Sequence, residues 1–201
     1  MKKSLYGLLF VLCIAACQSK TRESKLYTLP AVDEDGLQAV IEIPAGTHTK
    51  IEYNTETKSF EVDTLNGKSR IINFLPYPGN YGFIPSTYMS PELGGDGDAL
   101  DVLILNSSLP TGTVLNILPI GAMVLRDNEE IDTKIVAVPL DSTLRQLQIT
   151  NFRELLIQNY MVKQMIEDWF MSYKGAGSQM ELVRWEDEVG ALREIEKWRV
   201  E

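Results

Sequence analysis

The sequence predicts an α+β fold: a small closed antiparallel β-barrel flanked by helices, in one domain. Three observations predict it. Residues 38–140 are cut by Gly and Pro into short, β-branched runs. After residue 150 the apolar positions recur every three or four residues instead. The chain has 201 residues, 44% of them hydrophobic and 23% charged, which suits a single sizeable core.

The strands follow in order. Gln38-Ala39-Val40-Ile41-Glu42-Ile43 is apolar and β-branched, and Pro44 stops it. Lys50 to Tyr53 and Ser59 to Val62 alternate apolar with polar. Asp101-Val102-Leu103-Ile104-Leu105 is a buried-strand run that leaves directly from an acidic loop. Thr113 to Leu125 and Lys134 to Val138 complete the set. Leu155, Leu156, Val162, Met165, Ile166, Trp169 and Tyr173 predict one long helix, capped by Asn151 with Glu154 and ended by Gly175 and Gly177. Val189, Leu192, Ile195 and Trp198 predict a second helix.

The N-terminus reads as a targeting segment. Lys2 and Lys3 precede an apolar run, Leu5 to Ala16, that is shorter than the ~20 residues a membrane span needs. It ends in Ile14-Ala15-Ala16-Cys17, which resembles a bacterial lipobox, with an ordinary secretory signal as the alternative. The reading is a lipoprotein signal peptide over 1–16, a lipidated tether over 17–30 and one domain over 31–201. Cys17 carries the lipid and Cys13 is discarded, so no disulfide framework and no Cys nucleophile remains. Acyl chains then anchor the protein to a membrane without spanning it. Gln18 rather than Asp after the lipidated Cys points to the outer membrane or the periplasmic face of the cell envelope.

Charge excludes some partners. The net charge is −9, and loss of Lys2 and Lys3 leaves 17 basic against 28 acidic residues, a formal −11. No basic stripe exists to neutralise nucleic-acid phosphates. His48 is the only histidine, which argues against a Ser–His triad or a multi-His metal site. No P-loop and no dinucleotide fingerprint occurs.

The chemistry concentrates in Gly94-Gly95-Asp96-Gly97-Asp98-Ala99-Leu100-Asp101. Three carboxylates within six residues repel one another unless a cation neutralises them. Oxygen ligands alone favour Mg²⁺, Mn²⁺ or Ca²⁺. The apolar run after Asp101 lacks the ligands of an EF-hand, although an acidic surface loop also fits the bare spacing. Further charged groups are Asp127, Asp132 and Lys134; Glu42, Lys50, Glu52 and Arg70; and Tyr173-Lys174. Each of these alone reads as a solvated turn, edge-strand charge or helix end.

Together they resemble the soluble family-I inorganic pyrophosphatases. Asp96-Gly97-Asp98-Ala99-Leu100-Asp101-Val102 is similar to the family's D-x-D-P-x-D-V signature. Ile41-Glu42-Ile43-Pro44-Ala45, Lys50-Ile51-Glu52, Tyr77-Pro78-Gly79-Asn80-Tyr81-Gly82-Phe83-Ile84-Pro85, Asp127, Asp132-x-Lys134, Val136-Ala137-Val138-Pro139 and Tyr173-Lys174 follow in family order over residues 38–185. The resemblance implies a five-stranded, OB-like barrel, several Mg²⁺ ions per site with Mn²⁺ as a substitute, a homo-oligomer, and hydrolysis of inorganic pyrophosphate. It implies Asp96, Asp101 and Asp132 as ligands of a principal metal, with Asp101 shared by a second. Asp127 and Asp132 would hold a substrate-associated metal, and Glu42 and Glu52 would support the shell. Lys50, Arg70, Tyr81, Lys134, Tyr173 and Lys174 would bind substrate, and Asp98 would be the general base.

Three departures stand out. Ala99 replaces the family's Pro. The span from Arg70 to Tyr81 is one residue short, which makes Lys68 the fallback for Arg70. Gly177-Ser178-Gln179 stands where a Gly-Lys-Trp is expected. Two other readings keep the scaffold and change the activity: a non-catalytic metal-binding surface lipoprotein, and a phosphohydrolase acting on exported organic diphosphates.

Overall fold

The computed structural model describes residues 26–175 and 177–200. The expected signal peptide over 1–16 and the expected lipidation site Cys17 lie outside the described residues. Among the described residues are ten strands: β1 (Leu37–Ile43), β2 (Ile51–Asn54), β3 (Ser59–Val62), β4 (Thr64–Leu65), β5 (Lys68–Ser69), β6 (Asn80–Phe83), β7 (Asp101–Ile104), β8 (Val114–Asp127), β9 (Glu130–Pro139) and β10 (Met180–Glu186). The helices are α1 (Phe152–Gln158), α2 (Tyr160–Ser172) and α3 (Glu188–Trp198).

The main sheet runs β1-β6-β7-β9-β8-β10, and β1 also pairs with β8. Five strands therefore form a ladder that returns on itself, the small flanked barrel that the sequence predicts. One ladder departs from the expected antiparallel order: β7 and β9 run parallel, with Asp101 opposite Lys134. Parallel neighbours need a long crossover, and β8 supplies it between them. The core strands are buried on both faces, which explains their unbroken apolar runs. On β7, Val102 and Ile104 pack in the cluster that holds Trp198 of α3, while Leu103 faces Ile166, Trp169 and Phe170 of α2. Gly82 on β6 allows the close approach of β1, since a Cβ there would stand 1.9 Å from the Val40 carbonyl oxygen.

Four expectations change. The predicted single helix breaks at Asn159 (φ −138°, ψ 35°), so α1 and α2 are separate; the Asn151 cap on Glu154 N is present. β10 is a strand that the sequence reading did not include. On α3 the buried face is Ala191, Ile195 and Trp198, with Val189 and Leu192 exposed. Residues 26–30, expected to be tether, pack on the domain. Leu26 is 5% exposed. Gln38 Nε2 donates to the Pro30 carbonyl (2.8 Å), and Ser86 Oγ donates to the Leu29 carbonyl (2.7 Å). Leu26 and Tyr27 bury apolar area, which a solvated tether would not do. Among the described residues no helix is long and apolar enough to cross a membrane.

Candidate active site

The sequence-predicted residues converge on one cleft of about 330 Å³. Its walls include Asp96, Asp98, Asp101, Asp127, Asp132, Glu42 and Glu52, together with Lys50, Arg70, Tyr81, Lys134, Tyr173 and Lys174. The parallel pairing of β7 and β9 builds its floor. It sets Asp101, the first residue of β7, beside Asp132 and Lys134, which lie two apart and so share one face of β9. The aspartate loop is fixed to β9 by a hydrogen bond from Ile131 N to the Gly94 carbonyl (2.7 Å). Gly97 adopts φ +84°, a left-handed turn that a side chain at this position would strain.

Among the described residues, Asp96, Asp101 and Asp132 form a metal-competent group, with one oxygen from each within 4.8 Å of the others. Lys134 is 5% exposed at its side chain and forms ion pairs with both Asp101 and Asp132. Burial works against its charge, but the two aspartates outweigh burial and hold the ammonium well above its ordinary pKa. Burial, and then the Asp101 charge, push the Asp96 carboxyl up to about 6. Such a set of close, mutually repelling carboxylate oxygens suits a hard divalent cation.

The other expected ligands stand around this trio. Asp127, at the end of β8, pairs with Lys174, two residues beyond α2. Glu52 pairs with Lys50. Glu42 on β1 is buried and accepts from Tyr53 N (2.7 Å); burial pushes its carboxyl up to about 8, although that amide bond opposes the shift.

The cationic wall has a local cause. Lys50, Asp63 and Arg70 exchange backbone hydrogen bonds: Lys50 N to Arg70 O, Asp63 N to Lys50 O and Arg70 N to Asp63 O. The Asp63 carboxylate then accepts from Arg70 at 2.9 Å and lies 3.5 Å from the Lys50 ammonium. Arg70 therefore faces the cleft, while Lys68 is exposed on β5 and is not among the cleft's lining residues. Tyr81 is buried beneath Lys134, whose ammonium lies 5.6 Å from the ring centre. Tyr173 stacks on Trp169, with centroids 4.6 Å apart and planes 6° apart.

Asp98 sits at the rim. Its Oδ1 accepts from Ala99 N (2.8 Å) and from the hydroxyl of Tyr27. The Tyr27 oxygen in turn accepts from Ala99 N (2.9 Å). Burial, and then Asp98, raise the Tyr27 pKa well above its ordinary value, so the phenol stays a donor. Sequence reasoning missed Tyr27, Asp63 and Tyr77 as parts of this site. For Tyr27 the available signal was the Leu26-Tyr27 apolar pair directly after the polar run from Gln18 to Lys25.

Comparisons with known proteins agree with this geometry. Residues 39–201 match the family model described as inorganic pyrophosphatase. The chain is 34% identical over 166 residues to the inorganic pyrophosphatase of Mesorhizobium japonicum, covering 80% of this chain and 86% of that protein. It is 38% identical over 141 residues to that of Saccharolobus solfataricus, covering 70% and 75%. The crystal structure of inorganic pyrophosphatase from Thermus thermophilus superposes with a TM-score of 0.73 at 30% identity, covering 86% of this chain and 95% of that one.

Proposed function

Because the chain belongs to the inorganic pyrophosphatase family, we propose that it is an inorganic diphosphatase that hydrolyses pyrophosphate to two phosphates with Mg²⁺. One observation carries this reading: a single cleft sets three clustered carboxylates, fit for a hard cation, against lysines and an arginine, fit for an anion. Asp96, Asp101 and Asp132 would hold the principal ion, with Asp101 shared by a second. Asp127 and Asp132 would hold a substrate-associated ion, and Glu42 and Glu52 would support the shell. Ions bound there supply neutralising charge and a water that ionises near neutral pH.

The chain's own residues do the rest. Asp98 takes a proton as water oxygen bonds to one phosphorus and the bridging P–O bond breaks. Lys50, Arg70, Lys134 and Lys174, with the hydroxyls of Tyr81 and Tyr173, bind phosphate oxygens and stabilise charge on the leaving phosphate. Little covalent work falls to the protein, so positioning and electrostatics dominate. Phosphate release from pyrophosphate with Mg²⁺, run beside a nucleoside diphosphate and a metal-free control, tests the reading. Rapid release from pyrophosphate alone is expected. Equal release from the nucleotide would replace it with a broader phosphohydrolase, and no release with a cation still bound would leave a metal-binding scaffold.

We also propose that the enzyme is exported and anchored to the cell envelope through lipid on Cys17. The support is the basic start, the short apolar run and the Ile14-Ala15-Ala16-Cys17 ending. Leu26, nine residues after Cys17, is buried against the domain, so the anchor would hold the domain close to the bilayer. Cys17→Ala is expected to shift the protein from the membrane fraction to the soluble one. Unchanged membrane association would count against the lipid.

A further inference from the structure

The segment before the matched family region reaches the chemistry. Residues 26–30 precede the match at residue 39, yet Tyr27 touches Asp98. Its ring is held among Tyr53 and Phe83, with centroids 6.3 and 4.8 Å away. Leu26 is buried in the same cluster, together with Ala99. The hydroxyl is therefore fixed by packing on one side. On the other it is fixed by two hydrogen bonds, one donated to Asp98 Oδ1 and one accepted from Ala99 N.

The three groups close a triangle. Ala99 N–H is shared between Asp98 Oδ1 and the Tyr27 oxygen, and the Tyr27 proton goes to Asp98 Oδ1. A carboxylate has two oxygens, and a base at this site needs one of them to face water. Two donors on Oδ1 assign proton acceptance to Oδ2 and stop the carboxylate from rotating. The triangle also explains the loop's departure from the family signature. Proline has no N–H, so the signature residue could bond neither Asp98 nor Tyr27 from this position. Ala99 gives up a rigid φ and supplies the amide that the triangle requires.

We propose that Tyr27 is a positioning residue for Asp98, locked by the Ala99 amide, so that the N-terminal segment completes the active site. The proposal rests on Asp98 being the base. Interactions of this kind, one layer behind the reacting groups, commonly change function by about 10- to 100-fold.

The test uses the full chain. Tyr27→Phe keeps the ring and removes only the hydroxyl. Its kcat on Mg-pyrophosphate is expected to fall about tenfold, with KM and melting temperature near wild type. Ala99→Pro is expected to lower kcat to a similar degree, and the double variant to be no worse than either single one, because the three groups act as a unit. A Tyr27→Phe enzyme with wild-type kcat would show that Tyr27 only packs, and additive losses would show that Ala99 and Tyr27 act separately; either overturns the proposal. A crystal structure of Tyr27→Phe gives a readout free of turnover. Asp98 is expected in more than one orientation there and in one orientation in the wild type; a single shared orientation also overturns the proposal. Wild-type protein without pyrophosphate turnover would instead remove the function proposed above, and the crystal comparison would still decide whether Tyr27 positions Asp98.

Discussion

Asp98→Asn is expected to lower turnover on pyrophosphate by about 10²- to 10⁴-fold, the range a positioned general base contributes. At about 1.36 kcal/mol per tenfold, that is roughly 3 to 5 kcal/mol of transition-state stabilisation. Asparagine has nearly the same shape, and its carbonyl oxygen can still accept from Ala99 N and Tyr27, so the rim of the cleft should keep its structure. What it lacks is a second oxygen able to take a proton. Cation affinity should survive, because the close trio is Asp96, Asp101 and Asp132, and Asp98 is not part of it. The check pairs kcat at saturating substrate with a calorimetric titration of the divalent cation. Near-wild-type turnover would remove Asp98 as the base. Loss of cation binding together with turnover would make it a ligand.

Much of this site was legible because its parts have local signatures. The core strands carry unbroken apolar runs, such as Val102-Leu103-Ile104, since both faces are buried. The aspartate loop announces itself by charge density among glycines. Features that depend on long-range pairing were not legible. The parallel register of β7 with β9 leaves no mark on either strand, yet it places Asp101 beside Lys134. β10 was missed because a register shift between Leu182 and Arg184 breaks its alternation where periodicity would be read. Asp63 has no motif around it and matters because its backbone and its carboxylate join Lys50 to Arg70. Tyr27 was hidden by distance, since its hydrogen-bond partner lies 71 residues away.

The same parallel register makes Lys134 the cation on which the metal-free fold depends. Its ammonium is nearly buried and pairs with Asp101 and Asp132, while Asp96 stands in the same oxygen group. Lys134→Met keeps the length of the side chain and removes the charge. Removing one partner of a buried ion pair costs about 3–5 kcal/mol, because the remaining charges stay buried without compensation. A loss of that size in chelator-treated protein is expected, read as a lower denaturant midpoint at neutral pH. The sign with pH follows from the carboxylates. Burial without a partner raises a carboxyl pKa in the folded state, so the penalty grows as pH rises above the unfolded value of about 4 and shrinks as acid protonates the cluster. A divalent cation supplies the missing charge from outside. At a concentration 100 times its Kd it should return about 2.7 kcal/mol; with no ammonium competing for Asp101 and Asp132 the variant should bind the cation more tightly, so at equal Mg²⁺ its melting temperature should rise more than the wild type's. Turnover should nevertheless stay low in Mg²⁺, because Lys134 is also proposed to bind phosphate oxygens, a task the thioether cannot perform. If Lys134→Met were as stable as wild type in chelator, the carboxylates would be compensated by something other than Lys134, and the charge balance of the cleft would have to be redrawn around Lys50 and Arg70.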